Sequence, residues 1–392
     1  MKKLAFFLTC VVLILVAIGV ANLASINHDD TLSKQATFLF VALIPATIIL
    51  IAPLSFWTNK KMLLFMAVMI LIALVSVHIP GLGHEVKGAR RWIKIFGMQV
   101  QPSEIVKLAF VLILSWWMCG PARKIPNHKN RVLIPLAGLG VVAAGFIWQG
   151  DFGSVIMLSA VAIPLMLLGG SGLWILPYCA VAGALLLTML MNNPERRSRI
   201  ASKFSCMRTP AAEASATPGS PKSANDAKLA DAQGDRYQVN QSLQAFKQGG
   251  KYGKGFGNSL FKLDYLPEKH TDFVLAIIGE EFGFIGTSVC LGLFFALFIA
   301  GLAVSMHAPD RFSAFVALGM TLHISLSAAV NISVVTDLVP PKGLALPFIS
   351  SGGSNLICSI AAAAFIISIC LRGKRRRNVV TVQKDYDGLM PT

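Results

Sequence analysis

Residues 273–305 read FVLAIIGEEFGFIGTSVCLGLFFALFIAGLAVS, an apolar run whose only charges are the adjacent Glu280 and Glu281. A hydrocarbon core of about 30 Å is crossed by about 20 residues of helix. This stretch is long enough to cross it, and runs of similar character recur along the chain. Spans are expected near 4–25, 36–54, 62–80, 104–119, 132–148, 152–169, 173–191, 273–305, 312–338 and 354–371. The expected fold class is therefore an all-α polytopic membrane protein of about ten transmembrane helices.

The composition agrees. Of 392 residues 55% are hydrophobic and 14% charged, more apolar than soluble domains of about 45–50%. The first run follows Lys2 and Lys3, is longer than a signal-peptide core and lacks a clear cleavage pattern, so it is expected to stay as the first helix. The seven cysteines are scattered, mostly inside apolar runs, and form no CxxC or Cys/His spacing. Neither a disulfide framework nor a zinc site is indicated.

The net charge is +16. Lys and Arg concentrate in short cytoplasmic loops, which makes membrane topology the first explanation and nucleic acid a poor one. With the N-terminus inside, Lys60, Lys61, Arg123, Lys124, Lys129, Arg131, Arg311 and the tail from Arg372 to Lys384 all fall on the cytoplasmic side. Both termini are then cytoplasmic. The chain divides into helices 1–7 over 1–191, an extracytoplasmic loop over 192–271, helices 8–10 over 272–371 and a basic tail over 372–392. Topology leaves a remainder: thirteen of the 35 basic residues lie in the long loop, and KGARRWIK, residues 87–94, puts four more in one short outside loop.

The long loop is of mixed composition. Residues 209–235 are rich in Ala, Ser and Pro without aromatics, and such a segment buries too little apolar surface to order itself. Residues 236–271 carry Tyr, Phe, Leu and glycines and are expected to fold as a cap over the membrane surface.

Asp272 stands where that loop meets the eighth helix. An Asp here caps backbone N–H groups and suits the helix dipole, yet Thr271 is equally able to cap, which leaves catalysis open for the carboxylate. Glu280 lies about 12 Å further along a helix, and Glu281 falls on another face. In QPSEIVK, residues 101–107, Ser103 is a possible cap, and Glu104 and Lys107 share one face at i, i+3. They are either a self-neutralised pair or a cavity-facing cation and its partner. GKYGKGFGNS, residues 250–259, lacks the spacing of a phosphate loop and reads as a flexible turn. LVPPKGLALPFISSGGSN, residues 338–355, is a broken segment tolerated at membrane depth only under cover of protein or water. It is expected to line a cavity, bringing Lys342 and Ser350 to it.

These features suggest a cavity open to the outer leaflet, rimmed by Arg90, Arg91, Arg196, Arg197 and Arg199, with Asp272 at its edge. Arginine bonds two phosphate oxygens at once. A lipid-linked phosphate is the natural ligand.

The motifs GARRWI, QPSEIVK, YQVNQSL, GKGFGNS, LPEKHTDF, IIGEEFGFIG and GLALPFISSGG, in that order, resemble the SEDS family of shape, elongation, division and sporulation proteins. The resemblance spans nearly the whole chain and, through PPKGLALPFIS with Lys342, leans toward the division branch. It implies a peptidoglycan glycosyltransferase that polymerises lipid II on the outer face of the bacterial plasma membrane, at the septum. It further implies a class B penicillin-binding protein and other division proteins as partners, and a divalent cation, Mg²⁺ or Mn²⁺. By the same resemblance Asp272 is the essential aspartate, and Arg90, Arg91, Glu104 and Lys107 match the family's arginine and QPSExxK positions. Two departures stand out: the usual QPD is Gln149, Gly150, Asp151, and the tyrosine of SYGGS is Ser351. Rival readings are a lipid II flippase or transporter, against which the lack of a convincing internal repeat argues, a polymerase of the elongation branch, and a non-catalytic division scaffold.

Overall fold

The computed structural model describes residues 1–26, 29–86, 89–95, 98–120, 128–171, 177, 180, 183, 224–262, 270–340 and 343–387. The chain divides into two compact units, one of Met1–Leu173, Val289–Ala328 and Ala345–Thr392, the other of Trp174–Ser288 and Ala329–Leu344.

The first unit opens with α1 (Lys2–Ser25), α2 (Asp29–Ile51), the short α3 (Leu54–Trp57) and α4 (Lys60–Ser76). After a small sheet come α5 (Pro102–Cys119), α6 (His128–Trp148) and α7 (Phe152–Met166). The last helix, α11 (Gly353–Asp387), packs on α1, α2 and α5, while α5 also packs on α4 and α7. Ser368 donates to the Ile49 carbonyl at 3.2 Å, and Arg372 reaches the carbonyls of Leu50 at 2.6 Å and Ile51 at 3.0 Å. These are carbonyls that the end of α2 cannot satisfy within the helix. Large apolar side chains such as Phe6, Phe40 and Ile51 remain exposed, as a lipid-facing surface requires.

Among the described residues seven helices are long and apolar enough to cross a membrane. Two further apolar helices are shorter: α4, with 17 residues, ends at Ser76 within the expected span 62–80, and the Val132–Trp148 part of α6 matches the span at 132–148. The seventh expected span, 173–191, lies outside the described residues except at 177, 180 and 183, and so does the whole of the loop from 192 to 223. The chain is an all-α integral membrane protein, with one small sheet among the described residues. The cationic loop is a three-stranded antiparallel sheet, β1 (Gly83–Val86), β2 (Ala89–Ile95) and β3 (Met98–Val100), in that order. Arg90 lies opposite Glu85 across the hairpin.

The second unit holds α8 (Ala224–Gly249), which begins inside the Ala/Ser/Pro-rich stretch expected to lack structure, so residues 224–235 are helical. It also holds the start of α9 (Val274–Met306) and the end of α10 (Arg311–Val335). The buried Ser242 of α8 donates to the Val335 carbonyl at 2.8 Å.

The apolar run that suggests one long crossing is two rods. At Gly283 the backbone turns to φ +66, ψ −160, outside the helical region, a conformation that glycine alone adopts without cost. The break leaves backbone groups unpaired, and the glycine-rich loop supplies their partners. Lys254 N–H and Gly255 N–H donate to the carbonyls of Glu280 and Glu281, each at 3.0 Å. In return Phe284 N–H bonds the Gly250 carbonyl at 2.8 Å and Ile285 N–H that of Lys251 at 3.3 Å.

Candidate functional site

In the second unit, Asp272 occupies the turn that precedes α9 and is half-buried. The buried Asn331, on α10, donates its side-chain amide to the Asp272 carbonyl at 2.9 Å and to the Leu344 carbonyl at 2.6 Å. One side chain thus ties the aspartate turn to the segment after Lys342. Gly343 lies against the carboxylate itself: a Cβ there would stand 3.1 Å from Asp272 Oδ2.

Glu280 and Glu281 of the same helix are both bonded to the glycine-rich loop. Glu280, fully buried, accepts from Lys254 Nζ at 2.8 Å, the Leu260 N–H at 3.0 Å, the Phe261 N–H at 3.2 Å and the Ser259 hydroxyl. Glu281 accepts from the Gly257 N–H at 3.2 Å and pairs with Lys262 at 3.6 Å. Burying two carboxylates is costly unless each is paired and hydrogen-bonded. Here the loop folds around them, so the flexible turn expected at 250–259 is a fixed structure.

In the first unit a second polar cluster forms where β3 enters α5. Pro102 takes the first helical position, which its missing N–H suits. Ser103 does not cap the helix; it donates to Asp151 Oδ2 at 3.0 Å, beside Gln101 Nε2 at 3.1 Å and the Ser154 hydroxyl at 2.7 Å. Asp151 also caps α7 through the Ser154 N–H at 3.2 Å. Burial alone pushes the Asp151 carboxyl up, but the Arg91 guanidinium, the Ser154 hydrogen bonds and the Lys107 ammonium outweigh it and hold the group below the usual carboxylate range.

Arg91 itself donates to the Gly150 carbonyl at 3.0 Å, anchoring the sheet to the α6–α7 turn. Gly150 has φ +74 and bonds its N–H to the Ile147 carbonyl at 2.9 Å. Proline can do neither, so the QGD turn differs in shape from a QPD turn. Lys107 and Glu104 pair at 2.8 Å, both buried. Arg90 stays on the surface with Glu85 at 3.3 Å. Ser350 is buried and accepts the Leu346 N–H at 2.8 Å, closing its own turn. Of the expected site residues, Arg91, Glu104 and Lys107 therefore share one neighbourhood with Asp151, and Asp272 stands in the other unit. Arg196, Arg197, Arg199 and Lys342 lie outside the described residues.

A family model described as "Cell cycle protein", that of FtsW, RodA and SpoVE, matches residues 1–375. The chain belongs to the FtsW/RodA/SpoVE family. The probable peptidoglycan glycosyltransferase FtsW of Trichlorobacter lovleyi is 35% identical over 353 residues, 87% of this chain and 84% of that one. The protein of the same description from Escherichia coli O157:H7 is 31% identical over 344 residues, 86% and 76% of the two chains. Among solved structures, a chain from work on "Structural coordination of polymerization and crosslinking by a peptidoglycan synthase complex" shares the fold at TM-score 0.69 and 22% identity, covering 94% of this chain and 97% of that one. The rod shape determining protein RodA of Thermus thermophilus does so at TM-score 0.61 and 21% identity, covering 94% and 96%.

Sequence reading of this FtsW/RodA/SpoVE member singled out Asp272 but missed the groups that hold it. Asn331 sits mid-helix in an apolar run, where one amide carries no motif. The Glu280 and Glu281 pair was visible as an intramembrane oddity, and its partners only emerge when the loop folds back.

Proposed function

We propose that this chain is a membrane-embedded peptidoglycan glycosyltransferase polymerising lipid II, with Asp272 as general base. The observation that carries the reading is one half-buried aspartate at the head of a half-helix, its backbone pinned by Asn331. It stands in a chain 35% identical to a probable peptidoglycan glycosyltransferase FtsW.

In this mechanism Asp272 takes the proton of the acceptor's 4-hydroxyl. The freed oxygen pair forms the new bond to the donor's anomeric carbon, and the old carbon–oxygen bond leaves with undecaprenyl pyrophosphate, inverting the centre. General base help is worth about 10²–10⁴ in rate. Stabilising the departing pyrophosphate is the larger electrostatic demand. Arg91, Lys107, Arg196, Arg197, Arg199 and Lys342 are the cations assigned to it, with Arg90, Glu104 and Ser350 completing the binding set.

Among the described residues no three His, Cys, Asp or Glu side chains gather into a metal cage. A divalent cation, Mg²⁺ or Mn²⁺, is the proposed cofactor, with no ligand residue assigned to it. One carboxylate plus substrate phosphates is a habitual Mg²⁺ arrangement. When bound, the ion supplies charge neutralisation at the pyrophosphate.

The FtsW naming of the relatives supports septal wall synthesis, and the loop charges support cytoplasmic termini. A class B penicillin-binding protein is the proposed partner, alongside other division proteins. Purified protein given labelled lipid II is expected to make glycan polymer, and Asp272→Asn to abolish it. Unchanged polymer from Asp272→Asn overturns the base assignment. Lipid transfer between leaflets without polymer overturns the enzyme reading in favour of a flippase.

A further inference from the structure

The loop that mends the broken helix has a second face. Tyr252, Phe256 and Leu260 are 74%, 54% and 52% exposed, although the segment is held by the Glu280 and Glu281 carboxylates and by four backbone bonds across the break. A rigid loop presenting three large apolar side chains outward needs an occupant for them, because exposed apolar surface of that kind marks an interaction site.

The adjoining helix identifies the occupant. From Phe284 to Met306 α9 rises about 34 Å at 1.5 Å per residue, which by itself matches a hydrocarbon core of about 30 Å. The break at Gly283 therefore falls at one membrane boundary. The carbonyls of Gly250 and Lys251 bond to the N–H groups of Phe284 and Ile285, setting the loop at that same level. Phe284 and Ile285 are exposed at the start of that rod, as side chains turned toward lipid would be. Phe282, just across the break, brings its ring within 6.3 Å of the Phe256 ring, so the loop's apolar face continues the lipid-facing one. Lys251 lies 5.4 Å from the Tyr252 ring centroid. A tyrosine flanked by an exposed lysine suits the headgroup layer, where aromatic rings concentrate and lysine stems snorkel.

We infer that Lys251–Leu260 is a membrane-interface anchor, with Tyr252, Phe256 and Leu260 seated among the lipid headgroups and upper acyl chains on the Asp272 side of the membrane. The anchor holds the loop, and the half-helix it braces, at the depth where a lipid-linked substrate presents its headgroup. The depth at which a substrate is met rests on the proposed reaction; the exposed surface does not.

The test uses the full chain in nanodiscs of phosphatidylethanolamine and phosphatidylglycerol doped with a lipid carrying a diazirine near the top of its acyl chain. After photolysis, peptide mapping is expected to find adducts on 251–260 as well as on 284–299, and none on 236–248. In the Tyr252→Ser, Phe256→Ser double variant the loop adducts should fall about tenfold, while adducts on 284–299 persist and report a folded, inserted protein. Native protein labelled on 284–299 but not on 251–260 overturns the inference, as does a double variant whose loop labels as before. A loop unlabelled by lipid that becomes protected from hydrogen exchange only when a transpeptidase is added is a protein-docking face, and that result also overturns it.

Discussion

The side-chain amide of Asn331 is bonded to the backbone carbonyl of Asp272 at 2.9 Å, although 59 positions separate the two in sequence. The same amide holds the Leu344 carbonyl. Asn331→Ala leaves two carbonyls without that donor, a loss of roughly 1–3 kcal/mol. Because the carbonyl belongs to the proposed base, turnover should fall about a hundredfold, the scale expected of a misplacement near 1 Å. Steady-state polymerisation should show the loss in kcat, with KM for lipid II little changed; equal losses in both would contradict a positioning role.

Glu280→Ala removes the acceptor of four donors from a fully buried site. Breaking a buried pair costs about 3–5 kcal/mol. The lower end applies here, because the Lys254 side chain keeps 26% of its surface exposed. Thermal melting in detergent should show the drop, and Lys254→Met should cost less than Glu280→Ala.

Gly150→Pro restores the QPD triplet usual in the resembled family, yet it is expected to harm this chain. Proline's φ near −65° is incompatible with φ +74, and the N–H bond to Ile147 is lost. A penalty of roughly 1–3 kcal/mol follows, together with weaker anchoring of Arg91. Gly150→Ala should show the strain without losing the N–H. A proline variant as stable as wild type would refute the turn geometry.

The pH dependence of stability should carry the mark of Asp151. Its folded carboxyl titrates below the ordinary 3.8, so between the two values the unfolded chain binds the extra proton and stability rises with pH. The contribution is complete above about pH 3.8 and disappears as the pH falls through the lowered folded value. Melting curves between pH 3 and 6 should therefore steepen at the acid end, and Asp151→Asn should flatten that slope.

The crossings were legible because about twenty apolar residues have few alternatives, and α1, α5 and α10 lie within a few residues of the expected spans. Asp272 was legible because a carboxylate at a loop–helix junction stands out. The β2 strand was not, since the cations of KGARRWIK suggest a phosphate rim more strongly than a strand. Nor was the break at Gly283, as glycine is common in membrane helices and only the returning loop makes this one turn. Asn331 and Glu280 find partners 59 and 26 positions away, beyond the reach of any local pattern.

The seam at Gly283 has a mechanical consequence. A rod that tilts to suit a thicker or thinner bilayer would, if continuous, carry its far end along with it. Here the helix is interrupted at Gly283, its hydrogen bonds are closed by another stretch of chain, and tilt of the Phe284–Met306 rod is expected not to carry through to Asp272. Turnover should accordingly stay level across bilayers of differing acyl length, and a marked dependence on thickness would show that the joint transmits tilt after all.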